Sequence, residues 1–251
     1  MADPRPDQAA RAARPAYYAA SQGPWRDWWT LLHPPYTAWH LSYVVIGACL
    51  APHVSLAPLL AALLAFFLAV GLAAHALDEL NGRPLRTRIP AAALIAVTVV
   101  SLAGAVAIGV AGVVRVGWPL IPFLIAGPLL VIAYNAELLN GVVHTDLGFA
   151  AAWGAFPVLT SYVGETGRLD IAPVLAAGAA LGLSAAQRGL STPARSLRRR
   201  TITVDGTLTT TTGRVEPLDR TWLLGPLEQA LRTLAWSMIL LAAGLAVARL
   251  R

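Results

Sequence analysis

One stretch gathers side chains of the kinds that hold phosphate, bind a metal or move a proton. It runs His75-Ala76-Leu77-Asp78-Glu79-Leu80-Asn81-Gly82-Arg83-Pro84-Leu85-Arg86-Thr87-Arg88 and closes an apolar run. On a helix continuing through Glu79, residues His75, Asp78 and Glu79 stand at i, i+3 and i+4 and share one face. Two carboxylates beside an imidazole can take a divalent cation through oxygen ligands, with His75 as a further ligand or a base. Asn81 and Arg83 follow with an amide and a guanidinium suited to an anion. The same residues also suit a helix end with a solvated polar cap.

Two further segments carry comparable groups. Tyr134, Asn135 and Glu137 end a later apolar run, and Tyr134 and Glu137 at i, i+3 share a face; a wetted helix end is the alternative. Gln187, Arg188 and Arg195 end another run. Guanidinium groups bind phosphate directly and often bidentately, so Arg188 and Arg195 are candidate phosphate contacts. The triplet Arg198-Arg199-Arg200 suits anionic lipid headgroups better.

The elements that must position these groups are membrane helices. The chain has 251 residues, 57% hydrophobic and 13% charged, with mean hydropathy +0.61, a membrane composition. Seven spans are expected, at roughly 36 to 56, 57 to 79, 91 to 113, 118 to 140, 146 to 164, 170 to 190 and 230 to 248, on the criterion of about 20 apolar residues. No charged residue falls near the middle of any of them, which disfavours a transporter.

The net charge of +6 comes from 19 basic residues, all arginine. They flank apolar runs, so membrane orientation explains them better than nucleic acid. Arginine without lysine, with abundant alanine, also suits a GC-rich bacterial genome. Fifteen of the 19 fall in the N-terminal tail, the loop after the second span and the stretch from Arg188 to Arg232. The positive-inside rule then puts the N-terminus and the Asp78 loop in the cytoplasm of a multi-pass protein of the bacterial inner membrane.

Residues 1 to about 22 read as a disordered tail without the apolar stretch of a signal peptide. Trp25 to Leu32 reads as an amphipathic segment at headgroup level. Thr201 to Thr210, β-branched around Asp205-Gly206, reads as a β-hairpin turning at that pair. Cys49 is the single cysteine and forms no internal disulfide. The expected fold is thus an all-α bundle of about seven transmembrane helices with a small hairpin before the last. It divides into a tail and interfacial segment over 1–32, helices one to six with the site over 33–190, an arginine-rich loop over 191–229, and the last helix over 230–251.

The segment His75 to Leu85 resembles the first aspartate-rich motif of the UbiA superfamily of intramembrane prenyltransferases, Asn-Asp-x-x-Asp-x-x-x-Asp followed by Arg-Pro-Leu. Asp78 matches one aspartate and Arg83-Pro84-Leu85 the tail, while Ala74, His75 and Gly82 stand where the family has Asn, Asp and Asp. The Tyr134 helix end is similar to that of the family's fourth helix, and arginines replace its second aspartate motif. The resemblance covers roughly residues 33 to 195. It implies an isoprenoid diphosphate as substrate, an unknown acceptor or a cyclisation, and Mg²⁺ held by Asp78 and Glu79. His75, Asp78 and Glu79 become the expected catalytic set, with Asn81, Arg83, Tyr134, Asn135, Glu137, Gln187, Arg188 and Arg195 binding substrate. The shortfall from the family's motifs leaves a second expectation open, a non-catalytic scaffold that binds a lipid or a protein.

Overall fold

Apolar runs with few charges fold as helices because a backbone removed from water must satisfy its own polar groups. The computed structural model describes residues 14–21 and 23–250 and is mainly helical over them. A short helix α1 (Pro24–Leu31) leads into α2 (Pro34–Cys49). The long helices follow: α3 (Leu56–Leu80), α4 (Ala91–Val116), α5 (Trp118–Asn135) and α6 (Asp146–Thr166), then α7 (Ile171–Arg199) and α8 (Arg220–Arg249). Proline opens α1 and α2 at positions where its missing N–H costs nothing.

Five helices, α3, α4, α5, α6 and α8, are long and apolar enough to cross a membrane. Exposed side chains such as Ile95, Val99, Val110, Leu129, Leu175 and Leu240 give the bundle an apolar exterior, the surface a lipid-embedded protein presents. The chain is a multi-pass membrane protein. The expectation of seven spans is corrected to five. The first expected span is a helix of 16 residues, roughly 24 Å long at 1.5 Å per residue and short of a core of about 30 Å. The sixth is a 29-residue helix whose second half carries Gln187, Arg188, Arg195, Arg198 and Arg199.

Consecutive long helices alternate in direction, so two ends can be named. At one end Arg115 donates to the Gly164 carbonyl, the Ser55 N–H to Glu165, and Arg249 to the Ala51 carbonyl. The other end holds the Asp78 loop, the Tyr134 helix end and the arginines of α7. The core joins α2, α6, α7 and α8 through Trp39, Tyr43, Val158, Ala177, Ala180, Ala235 and Met238. Close approach depends on Gly47, where a Cβ would lie 2.3 Å from the Val158 carbonyl oxygen, and on Gly154, where it would lie 2.6 Å from that of Ala180. A second core joins α3, α5 and α6 through Val70, Ala73, Ala74, Val131, Tyr134 and Trp153.

Two other expectations change. The disordered tail divides: residues 1–13 and 22 lie outside the described residues, whereas 14–21 pack against the bundle. The hairpin exists, formed by β1 (Thr207–Thr209) and β2 (Val215–Pro217) paired antiparallel. Its turn is at Thr210–Gly213, closed by the Gly213 N–H on the Thr210 carbonyl and the Thr210 N–H on that of Arg214. Asp205-Gly206 precedes β1, and Gly213 with φ of 80° supplies the left-handed residue instead. Helix α1 exposes Trp25 and Trp29 and buries Leu31.

Candidate functional site

Backbone strain singles out one end of the molecule. Among the described residues, the five non-glycine residues with positive φ are His33, Arg83, Arg86, Glu137 and Asn140. All flank helix ends at the arginine-rich end. Left-handed backbone costs of order 1–3 kcal/mol per residue and persists where the surroundings over-determine it, as at functional sites. Two helices also loosen into π-helix beside this end, α3 over Phe67–Ala74 and α6 over Ala151–Ala155. Such segments re-aim side chains and recur at functional sites. The first delivers His75 and the second frees the Trp153 carbonyl for buried His40, 2.9 Å away.

Glu79 is fully buried and explains how the strained loop holds. One carboxylate oxygen accepts from the Leu85 N–H at 2.9 Å and the other from the Thr87 N–H and hydroxyl at 2.9 and 2.8 Å. Arg83 turns inward to donate to the Ile89 carbonyl at 2.6 Å, and the Arg88 N–H donates to Asp27 of α1 at 2.8 Å. Glu79 and Arg83 are thus engaged within the loop. Asn81 and Glu137 are exposed at helix ends, and the Asn135 amide donates to the Val131 carbonyl of its own helix.

The remaining expected residues converge. The Asp78 side chain is half-buried with no hydrogen bond or ion pair among the described residues, and Arg199, Arg195, Glu79 and His144 are the charged or ionisable groups around it. Tyr134 is buried, stacks on His144 at 4.4 Å between centroids and leaves its hydroxyl without a partner. The His144 ring in turn meets the Tyr134 carbonyl at 2.9 Å. Arg188 pairs with exposed Asp146 at 2.9 Å and lies over the Phe149 ring. Gln187 is buried, its amide oxygen unpartnered. Arg195 touches Thr192 of its own helix at 3.3 Å; burial, then Arg188 and Arg199, lower its pKa, so an anion here would relieve a crowding of positive charge.

His75 joins the cluster through a residue that sequence reasoning missed. The ring of His33, at the N-cap of α2, stacks on that of His75 at 4.3 Å, while His75 is also bonded to the Gly71 carbonyl. The Tyr18 hydroxyl hydrogen-bonds the Nδ1 of His33. Burial, then His75, holds the His33 pKa well below the usual imidazole value; burial raises that of Tyr18 well above the phenol range and pushes Tyr17 up to about 12. The one sequence signal was Pro34-Pro35, which marks His33 as the residue that must cap α2.

Below the cluster lies an apolar cavity of about 480 Å³ between α3, α4, α5 and α6. Its wall runs from Ala57 to Val70 along α3, about 20 Å at 1.5 Å per residue. Val131 and Trp153 line its upper end, one helical turn below Tyr134, which packs edge-on to Trp153 at 5.8 Å.

The residues present do not fit an Mg²⁺ held by protein alone. Asp78 and Glu79 do not converge, because the hydrogen bonds to the loop occupy both Glu79 oxygens. No group of three or more His, Cys, Asp or Glu suited to a metal occurs among the described residues, whereas Mg²⁺ takes six oxygens in near-octahedral array. Comparison of the chain with protein-family models, with curated proteins and with solved structures finds no match in any of the three.

Proposed function

We propose that the protein binds an isoprenoid diphosphate, the diphosphate among Arg188, Arg195, Tyr134 and His144 and the chain in the apolar cavity, and acts on it as a prenyltransferase-like enzyme. The single observation that carries this reading is a long apolar cavity ending one helical turn below a cluster of cations and unpartnered polar atoms. Amphiphiles with an anionic head and a hydrocarbon tail match that polarity. The resemblance around Asp78 and Arg83-Pro84-Leu85 favours an isoprenoid tail, and the arginine distribution favours the cytoplasmic face of a bacterial inner membrane for the cluster.

In the reaction the allylic C–O bond breaks, its electron pair leaves with the diphosphate, and the allylic cation is captured by an acceptor or by the chain itself. Arg188 and Arg195 stabilise the charge that develops on the leaving group. Asp78, facing the cluster with no partner of its own, takes the proton released on capture. No step is assigned to a metal or to Glu79.

A second reading is favoured by Glu79 itself: with one of its two acidic groups committed to the loop, the site binds a phosphorylated isoprenoid or lipid without turning it over. Diphosphate release from a panel of prenyl diphosphates in lipid nanodiscs separates the two, run with and without Mg²⁺ and candidate acceptors on wild type, Asp78→Asn and Arg195→Gln. Release that falls in both variants is the expected result. Tight binding without release establishes the second reading, and the absence of both sinks the phosphate site.

A further inference from the structure

Residues 14–21 close the arginine-rich end, held there by hydrogen bonds to their backbone and by aromatic contacts. Arg198 donates to the Arg14 carbonyl at 3.2 Å and Arg199 to the Pro15 carbonyl at 3.1 Å. The Tyr18 hydroxyl rests on His33, Tyr17 lies under the Arg232 guanidinium at 4.7 Å, and the Ala20 N–H donates to the Thr30 hydroxyl at 3.1 Å. Ala16 and Ala19 are buried, and the partly buried rings of Tyr17 and Tyr18 pack edge-on against Tyr36 at 6.4 and 5.5 Å.

Under it lies a pocket of about 50 Å³ walled by Tyr17, Tyr18, His33, Arg195, Arg199 and Glu228. The Tyr17 hydroxyl and the His33 Nε2 are buried there without partners. Its walls include Arg195, a proposed phosphate contact, and His33, which stacks on His75 of the cluster.

We propose that residues 14–21 are a strap latched over the site, and that a phosphate group takes the Arg198 and Arg199 guanidinium groups from the strap's carbonyls and opens it. The exchange is favourable because a guanidinium–phosphate bond is charge-assisted on both sides, whereas a guanidinium–carbonyl bond is so on one. Arg198 keeps its bidentate pairing with Glu228 throughout, which leaves Arg199 as the principal latch. The phosphate comes from an anionic lipid headgroup or from the diphosphate of the site's own ligand. The ligand source rests on the function proposed above; the headgroup source does not.

Hydrogen exchange of the full chain tests this in three nanodisc conditions: phosphatidylcholine alone, phosphatidylcholine with phosphatidylglycerol, and phosphatidylcholine with inorganic diphosphate. The amides of Ala19 and Ala20, bonded to the Ala16 carbonyl and the Thr30 hydroxyl, report the closed strap. Their protection should fall about tenfold in at least one of the two anionic conditions, the gain from a charge-assisted bond, and which of them responds identifies the source. In Arg199→Gln the strap should be open in phosphatidylcholine alone and indifferent to either anion. Tyr18→Phe, which removes one hydroxyl and no charge, should loosen it in the same direction. Unchanged protection of wild type in both anionic conditions overturns the proposal, as does an Arg199→Gln strap protected like wild type. Because exchange reads the strap and not turnover, failure here is distinct from failure of the diphosphate-release assay.

Discussion

Glu79 and Asp78 are neighbours with different tasks. The Glu79 carboxylate is a fastener whose three accepted bonds hold Arg83 and Arg86 in left-handed backbone. Glu79→Ala strands buried donors and should cost roughly 2–4 kcal/mol, read as a lowered unfolding midpoint in detergent. Asp78→Asn should leave that midpoint within experimental error while changing ligand binding. Equal losses of stability would mean that the two carboxylates are not divided in this way. His33 adds a pH dependence. Its pKa is held well below the usual value by burial, then by His75, Arg199, Arg195 and His40, so the closed strap favours the neutral ring that shares a hydrogen bond with Tyr18. Opening the strap to water restores an ordinary pKa of about 6.5, so the open form binds the proton first. The strap is therefore fully closed above about pH 6.5 and loosens as the pH falls below it. Protection factors of Ala19 and Ala20, corrected for intrinsic exchange, should fall on acidification, and a flat profile would remove His33 from the latch. The sequence made the ionisable residues near His75 legible as a group because they fall within little more than one helical turn, but the shared face expected of them divides: Glu79 turns into the loop and His75 stacks on His33. It left Glu79 ambiguous, because a ligand and a fastener have the same side chain and differ only in where eight residues of loop return.

The long helices were legible as elements because apolar composition over about 20 residues has few other folded solutions. Their ends were less so. α8 begins at Arg220, about ten residues before its apolar run, and carries Pro226 inside its first turns. The π segments have no sequence signature, because Phe67–Ala74 and Ala151–Ala155 are ordinary apolar strings whose widened turns answer to what they pack against. The tight crossings are testable. Gly154→Ala or Gly47→Ala would push a methyl into a helix backbone that cannot yield as a side chain does. Each should destabilise by about 1–3 kcal/mol, measured by thermal unfolding. Gly178→Ala, which meets open space, should be close to neutral. The hairpin differs again. Its residues are exposed or half-buried, and its neighbours are anchored by Arg220 on the Thr201 and Ile202 carbonyls. Replacing residues 207–217 with a short flexible linker should leave ligand binding unchanged, and a loss of binding would make the hairpin part of the site.

At the scale of the whole molecule, the cluster draws on nearly the entire chain: His33 from the start of α2, Asp78 from α3, Tyr134 from α5, and Arg188 and Arg195 from α7. Helix α2 packs about equally on α6 and on α8, the last element. The Trp39–Tyr43 face of α2 is covered in part by Ala235 and Met238 of α8, some two hundred residues later. A growing chain therefore makes α2 long before one of its two main neighbours exists. Until α8 arrives, the indole–phenol pair of Trp39 and Tyr43, bonded at 2.7 Å, must be shielded by lipid or by an insertion factor. Assembly is thus gated by completion: a ribosome that stops early leaves an orphan helix rather than a partial bundle. A chain ending at residue 219 should be degraded rapidly in cells. Co-expression of 220–251 as a separate peptide should rescue it, because what α2 waits for is a surface and not a covalent connection.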